Sequence, residues 1–242
     1  MLKILFSPSE GKNNGGKNGN SKLFGPPGAR KEILETYSTI VLSNNEEKIK
    51  TLFGFKKFSE CVPYIHEIYN SPVMPAIERY SGVAYDYLKY GSLDSSAQNF
   101  LQKHTMIFSN LYGPVRGGDT IANYKVKQGN SIGSIAPDKF YKERFSHQLD
   151  LYLLEHDVLD LRAGYYEKFY KLSKPYTTLK FLKNGKTVSH WAKAYRGIVL
   201  RQIAIEGVES LEAFSKLEIE NLSVHDIKKT KNKTEIIYNI TE

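Results

Sequence analysis

Two segments of the chain place arginine close to glycine, a combination that lets an anion or a backbone approach a planar cation. In the first, three glycines and a proline surround Arg116 and Asp119. In the second, Lys193 and Arg196 precede Gly197 and share one face of a helix. A mid-helix glycine costs about 1 kcal/mol against alanine, which a closely passing backbone or ligand would justify. Both segments indicate contacts to phosphate or carboxylate groups. The alternative is a tight turn with an Arg–Asp pair and a solvated basic face.

A third glycine-rich segment, residues 11–18, fits the phosphate-loop pattern G-x-x-x-x-G-K up to Lys17. The pattern then requires Ser or Thr to hold magnesium, and this chain has Asn18. Pro26 and Pro27 oppose the helix that such a loop should enter. The segment therefore favours a lysine-bearing loop over nucleotide hydrolysis.

The potential metal ligands are spaced unfavourably. The six histidines show neither the H-x-H nor the H-x-x-x-H pattern, and Glu143 with His147 supplies two ligands at best. The single cysteine, Cys61, excludes a disulfide within one chain and has no adjacent basic residue to favour its thiolate. We expect neither a metal nor a cofactor. A Ser-His-Asp triad is a spatial grouping that the sequence alone does not define.

The composition is that of a folded protein. The 242 residues are 40% hydrophobic and 12% aromatic, which supplies a core and argues against a disordered or fibrous chain. No apolar run reaches the length of about 18 residues that a membrane helix needs. The first six residues are too short for the apolar region of a signal peptide. We therefore expect a cytoplasmic protein without a membrane segment.

The positive charge is concentrated in one third of the chain. Residues 121–201 hold 15 Lys+Arg and 7 Asp+Glu, a net of +8, whereas the rest of the chain has 19 of each. The same third holds eight of the 17 tyrosines and the only tryptophan. Basic residues interleaved with aromatic ones favour binding of a polyanion. The alternative is a basic surface that serves solubility.

Hydrophobic runs and turn residues predict a mixed α/β (α+β) single domain over residues 1–242. The predicted strands are 3–7, 106–110, 124–127, 158–161, a hairpin of 178–181 and 187–190 around Asn184 and Gly185, and 236–240. The predicted helices lie within 30–58 in two pieces, in broken form within 63–78, and at 94–103, 141–156, 192–206 and 211–216. Residues 82–88 fit either a strand or a helix. The order lacks a steady βαβ rhythm, so a doubly wound sheet is not predicted.

Six short segments of the chain occur in the same order as the motifs of one known family. They are residues 7–12 (SPSEGK), 80–85 (YSGVAY), 109–119 (SNLYGPVRGGD), 124–129 (YKVKQG), 160–162 (DLR) and 192–197 (AKAYRG). Together they resemble the YaaA family of bacterial peroxide-stress proteins, of the UPF0246 type, over about the whole chain. Glu10-Gly11-Lys12 is similar to the branch that differs from the enterobacterial Ser-Pro-Ala-Lys form. Lys125 stands where the family often has arginine, which keeps the charge and loses the planar fork.

The resemblance implies an unusual mixed α/β fold with a positively charged cleft, DNA binding, and survival of hydrogen peroxide through lower free iron. It also implies a helix-hairpin-helix element, which grips the phosphate backbone without reading bases. Residues 77–83 fit its first helix and hairpin, although Ala84 stands where a second glycine is usual. Residues 205–208 with 211–217 are a rival, but five glutamates flank them. We prefer the first segment.

The leading hypothesis is a protein of the peroxide response that binds DNA, duplex or locally unpaired, through its backbone and structure. The expected cleft residues are Lys12, Arg116, Lys125, Arg162, Lys193, Arg196 and Arg201, with Tyr112 and Tyr195 as candidates to stack on a base. The alternative is an enzyme that acts on a phosphorylated or nucleic-acid substrate, with Glu10 or Asp119 as acid or base. The ligand count disfavours direct iron sequestration. The leading hypothesis includes no catalytic activity, and a monomer is favoured.

Overall fold

A computed structural model describes residues 1–241, without the side chains of Ser189 and His190. The strands are β1 Leu2–Phe6, β2 Gly11–Lys12, β3 Val73–Pro75, β4 Tyr80–Ser81, β5 Thr105–Ser109, β6 Gly113–Arg116, β7 Thr120–Ala122, β8 Asp157–Asp160, β9 Tyr176–Lys183, β10 Lys186–Thr187, β11 Leu222–Lys229 and β12 Lys233–Ile240. The helices are α1 Lys31–Val41, α2 Glu46–Phe53, α3 Ala76–Arg79, α4 Val83–Leu88, α5 Ser95–His104, α6 Pro137–Leu153, α7 Ser189–Ile205 and α8 Leu211–Ser215. The predicted mixed α/β class is confirmed.

The main sheet has the order β11-β12-β9-β8-β1-β5-β6, with β10 paired to β9. Strands β5, β1, β8, β9 and β12 are mutually parallel, and β6 and β11 run antiparallel at the two edges. All five residues of β1 and of β5 are buried. Burial on both faces is typical of central parallel strands, and it explains the continuous apolar runs in the sequence.

The connections reverse direction at β1. The chain passes from β1 to β5 on one side and later crosses back to β8 on the other side. In the register, Ile4 pairs with Thr105 and Leu5 pairs with Asp160, so the carboxyl ends of the three strands meet at one edge. Open α/β sheets bind ligands outside the carboxyl ends of strands at such a reversal. This edge is therefore the first place to look for a site.

Capping and turn contacts fix the ends of several predicted elements. Asn45 caps α2 by accepting a hydrogen bond from the Lys48 N–H at 3.0 Å, and Asp94 caps α5 through the Ala97 N–H at 2.8 Å. Asn184 and Gly185 form the turn between β9 and β10 with φ of 51° and 72°. Positive φ at both residues is the signature of a type I′ turn, so the predicted hairpin turn at Asn184 and Gly185 is confirmed.

The structure differs from the sequence-based prediction at three strands: two predicted strands are absent or shorter, and one observed strand was not predicted. Residues 124–127 lie outside the sheets, because the Lys125 N–H donates to the Tyr37 hydroxyl and the Lys127 N–H to the Leu52 carbonyl. The predicted strand 187–190 ends early, since α7 begins at Ser189. Strand β11 was not predicted, because its side chains are almost all exposed and carry no apolar alternation.

Helices α4 and α7 pack backbone against backbone at Gly197. A Cβ atom added at this glycine would overlap the carbonyl oxygen of Ala84. The expectation that a closely passing backbone justifies a mid-helix glycine is therefore confirmed.

Within residues 1–241, no helix combines the length and the apolar character needed to cross a bilayer.

Candidate functional site at the carboxyl edge of the sheet

Polar side chains gather where β1, β5 and β8 end. Ser7, which follows β1, is bonded to the segment after β8 and to helix α4. The Ala163 N–H donates to its Oγ and the Tyr85 hydroxyl donates to its carbonyl oxygen, each at 2.8 Å. Further residues of this edge lie in the segments after β1 and β7, in β2 and β4, and at the end of β5. We call the following set the carboxyl-edge cluster: Glu10, Lys12, Tyr80, Ser109, Tyr124 and Lys125.

Glu10 and Lys125 form the ion pair of the carboxyl-edge cluster. The Lys125 Nζ lies 3.0 Å from the Glu10 Oε2, and the Gln128 N–H donates to the Glu10 Oε1 at 3.1 Å. Partial burial alone would raise the pKa of Glu10, but the hydrogen bonds from Gln128 and Lys125 outweigh it, and the net pKa lies below its ordinary value. Glu10 is therefore an anion at neutral pH, which suits a base or a counter-ion better than an acid.

Lys12 presents its amine to two aromatic rings. The Nζ lies 3.9 Å from the centroid of the Tyr124 ring and 5.4 Å from that of Tyr80, and it donates to the carbonyl oxygens of Glu10 and Ser9 at 3.3 and 3.4 Å. Burial of the amine, followed by the charge of Lys125, lowers the pKa of Lys12 to about 7, against the opposing charge of Glu10. A large fraction of the amine is therefore neutral at physiological pH.

A chain of hydroxyl groups fixes these rings. The Tyr124 hydroxyl lies 2.8 Å from the Ser109 Oγ and 3.0 Å from the Tyr80 hydroxyl. The Ser109 Oγ also accepts the N–H groups of Leu111 and Tyr112. Burial raises the pKa of both Tyr80 and Tyr124, so the phenols stay neutral. The rings under Lys12 are therefore held rigidly.

Arg162 serves the fold at the end of β8. Its Nε and Nη2 donate to the two carboxylate oxygens of Asp160 at 2.9 and 2.7 Å, and its Nη1 donates to the carbonyls of Tyr166 and Tyr170. With 4% of its surface exposed, Arg162 has no free face for a phosphate in this conformation. The expectation that it lines a DNA-binding cleft is corrected to a packing role.

Arg196 lies near the Arg162–Asp160 pair and, unlike Arg162, is only half-buried. Burial lowers the pKa of its guanidinium, and the nearby charges of Asp160 and Glu167 oppose that shift. Among the atoms that the structure describes, none forms a hydrogen bond with the Arg196 guanidinium. Lys193, one turn earlier on α7, is exposed. This half-buried arginine is the least satisfied cation of the predicted set.

Arg116 and Asp119 lie near the amino ends of the parallel strands, opposite the carboxyl-edge cluster. Arg116 pairs in register with Met106 near the start of β5, and its charge, after burial, helps to lower the pKa of Lys3 near the start of β1. Strand β1 spans five residues, about 16 Å at about 3.3 Å per residue. Arg116 and Arg196, both expected in one cleft, therefore lie towards opposite ends of the parallel strands.

Asp119 is a loop-fixing carboxylate. It is buried, and it accepts the N–H groups of Phe24 and Arg116 at 2.6 and 3.0 Å and the Arg116 Nε at 2.8 Å. The tight turn with an Arg–Asp pair, which the sequence left open, is thus the observed arrangement. The Arg116 side chain stays 46% exposed.

The remaining predicted residues also have structural neighbours. The Arg201 Nη1 donates to the carbonyls of Leu88 and Lys89 at 2.9 and 3.1 Å, so it caps the end of α4. Tyr112 and Tyr195 are 2% and 1% exposed. Stacking on a base needs an accessible ring face, so the expectation for these two tyrosines is corrected to core packing.

Sequence reasoning missed Arg79, which organises the glycine-rich loop. This arginine is fully buried, and it donates to the carbonyls of Asn13, Gly15 and Pro72 at 2.6, 3.1 and 3.0 Å. The loop therefore wraps a guanidinium and does not run into a helix, unlike a phosphate loop. There was no reason in the sequence to select Arg79, because adjacent charged residues such as Glu78 and Arg79 are typical of an exposed surface.

The two candidate helix-hairpin-helix segments have different surroundings. In the preferred one, β4 lies between α3 and α4 and pairs with β2, and the Gly82 N–H donates to Asp86. In the rival, Gly207 separates α7 from α8 with φ of 60°. The backbone N–H that a hairpin would offer to phosphate is thus already bonded at Gly82.

Among the His, Cys, Asp and Glu side chains of residues 1–241, that of His190 left aside, no group of three or more is arranged to hold a metal ion.

The comparisons with known proteins agree with one another. Residues 2–228 match the family described as "Peroxide stress protein YaaA". The chain is 42% identical over 246 residues to "Uncharacterized protein Cj0984" of Campylobacter jejuni, covering 100% of each protein. It is 29% identical to "UPF0246 protein SCO2297" of Streptomyces coelicolor, covering 84% and 83%, and 30% identical to "UPF0246 protein CE1889" of Corynebacterium efficiens, covering 87% and 88%. The chain therefore belongs to the YaaA family of peroxide stress proteins.

Proposed function

We propose that this protein serves the peroxide stress response by binding DNA in the cytoplasm, through the phosphate backbone rather than the bases. Membership of the family supports the role in peroxide stress. The basic segment 121–201, with its net charge of +8, supports a polyanionic partner. On this proposal the principal contacts are Lys193 and Arg196 on α7.

The observation that carries the proposal is the state of Arg196. Asp160, the carboxylate whose charge acts most strongly on Arg196, is already bound in bidentate fashion by Arg162. A half-buried guanidinium without a hydrogen bond is a strong site for an anion, because the desolvation has occurred before the ligand arrives. Lys193 stands three residues away on the same helix, and its charge reaches solvent. A phosphate backbone running along α7 would contact both.

We expect Lys193→Ala and Arg196→Ala each to weaken DNA binding by about 1–2 kcal/mol, or about 5- to 30-fold, because each removes a phosphate contact. Fluorescence anisotropy with labelled duplex and with locally unpaired DNA measures this loss at fixed salt. The melting temperature of each variant is recorded on the same samples. Lys228→Ala and Lys229→Ala are matched controls, since both lysines are exposed on the edge strand β11.

Two other outcomes contradict the proposal. Equal, small losses at all four sites would mean that the charge acts diffusely. A lower melting temperature for Arg196→Ala, with unchanged affinity of the folded fraction, would mean that Arg196 serves only to balance Asp160 and Glu167.

A further inference from the structure

We propose that Lys12 is a nucleophilic amine, which forms an imine with the carbonyl group of an aldehyde that also carries a phosphate. This activity goes beyond DNA binding. It uses the carboxyl-edge cluster, whereas the proposed DNA contacts lie on α7.

The position of Lys12 is the first support. Its strand β2 follows β1 directly and pairs with β4, so the amine reaches the edge where the parallel strands end and the connections reverse. Small-molecule sites of open α/β sheets form at such reversals. The residue is half-exposed, although its amine lies against the rings, so a small carbonyl compound has a route to it.

The surroundings of the amine are the second support. Lysine amines become nucleophiles when they lie in an apolar pocket or beside another cation, and Lys12 meets both conditions. The rings of Tyr124 and Tyr80 pack against its Nζ, and Lys125 is its cationic neighbour. Glu10 pairs with Lys125, because its Oε2 lies 3.0 Å from the Lys125 Nζ. The pKa of Lys12, lowered to about 7 by burial and by Lys125, agrees with this assignment.

The step needs no co-reactant. The neutral amine adds to the carbonyl carbon, a C–N bond forms, and one amine proton moves to the oxygen to give a carbinolamine. The C–O bond then breaks, and the oxygen leaves as water with the second amine proton, which gives the imine. The carbonyls of Ser9 and Glu10, which accept from the Nζ, aim the amine before the reaction.

The charge balance around Lys12 selects an anionic substrate. Arg79, whose charge also lowers the pKa of Lys12, donates to backbone carbonyls of Asn13, Gly15, Pro72 and Ile121. Its charge is therefore not neutralised by a hydrogen-bonded carboxylate. Glu10 is the carboxylate that faces Lys12 and Lys125 together. Because Glu10 balances Lys125, the charge of Arg79 leaves a net positive field at Lys12, which favours a substrate with a phosphate group.

A phosphorylated aldehyde has two possible sources, which the test separates. One is a free sugar phosphate or a related small molecule. The other is the open-chain aldehyde of an abasic site in DNA, and that source rests on the proposed function. The first source needs no DNA binding at all.

The experiment traps the imine by reduction. The intact protein is incubated with glyceraldehyde 3-phosphate and cyanoborohydride at pH 7, and the modified lysines are located by peptide mass mapping. We expect Lys12 to be labelled about 10-fold more than Lys17, which is exposed in the same loop. Labelling of Lys12 should rise with pH through about 7, because only the deprotonated amine reacts. Unphosphorylated glyceraldehyde should label Lys12 more weakly.

Two variants and a DNA substrate complete the test. Lys12→Arg should abolish the specific adduct, whereas Lys17→Arg should retain it. In a second arm, a duplex with one abasic site is mixed with the protein and borohydride, and covalent complexes are counted on a denaturing gel. An adduct from either source supports the proposal. Labelling spread evenly over the lysines, with no covalent DNA complex, overturns it. The affinity for undamaged duplex, measured separately, shows whether the proposed function fails as well.

Discussion

Arg162→Ala should lower the free energy of unfolding by about 3–5 kcal/mol, the loss that follows when one partner of a buried ion pair is removed. The change leaves Asp160 buried without its bidentate donor and leaves the carbonyls of Tyr166 and Tyr170 unbonded by the guanidinium. Asp160 ends β8 beside the central strand β1, so the damage falls on the core of the sheet. Urea unfolding followed by circular dichroism measures the loss.

Arg144→Ala is the matched control for this prediction. Arg144 also forms an ion pair, with Glu32 at 2.8 Å, but both side chains are substantially exposed, so we expect a loss below about 1 kcal/mol. DNA affinity of folded Arg162→Ala should stay close to that of the unchanged protein, because the buried guanidinium has no free face. A stability loss no larger than that of Arg144→Ala would contradict the packing role of Arg162.

Gly197→Ala should destabilise the protein by about 2–3 kcal/mol, although alanine is the better helix former by about 1 kcal/mol. The added methyl group would overlap the carbonyl oxygen of Ala84, which is backbone and cannot rotate away. Helices α4 and α7 must therefore separate, and Arg196 moves with α7. We expect weaker DNA binding together with a lower melting temperature, measured by anisotropy and by calorimetry.

Gly91→Ala is the control for this second prediction, since a Cβ atom there meets nothing within 4 Å and the backbone has no positive φ. It should change stability by no more than about 0.5 kcal/mol. If Gly197→Ala is as stable as Gly91→Ala, helices α4 and α7 do not pack as closely as the contact between Gly197 and Ala84 requires.

The local elements were predictable because their signals are local. The apolar runs of β1, β5 and β8, the caps Asn45 and Asp94, and the Asn184-Gly185 turn all depend on neighbours within a few residues. The parallel order of the strands was not predictable, because it depends on long connections that the sequence does not describe. Residues 124–127 show the same limit, since their N–H partners, Tyr37 and Leu52, lie far away in the chain.

The candidate site was predictable in its residue types and not in its arrangement. The motifs identified Glu10, Lys12 and Lys125, which do meet at one edge of the sheet. Arg162 and Arg201 looked like surface cations, because a sequence does not show which carboxylate or helix end a guanidinium will meet. Two of the basic residues in segment 121–201, Arg162 and Arg201, therefore form hydrogen bonds within the fold.

Two buried arginines, Arg30 and Arg79, make contacts that could not be predicted from the sequence. Arg30 donates to the carbonyls of Tyr112, Phe24 and Pro114, each at 2.6 Å, and Arg79 holds the glycine-rich loop in the same way. Both satisfy backbone oxygens of irregular segments, which would otherwise be buried without partners. Such an arginine has no local signature, since its partners are main-chain atoms from distant parts of the chain.

The salt dependence of DNA affinity, compared between the unchanged protein and the Lys193→Ala, Arg196→Ala double variant, tests the central proposal most directly. Each phosphate contact contributes about 0.9 to the slope of log affinity against log salt on duplex DNA. Loss of two contacts should therefore make the slope of the double variant shallower by about 2. A duplex affinity that does not depend on salt, or equal slopes for the two proteins, would contradict backbone binding by α7.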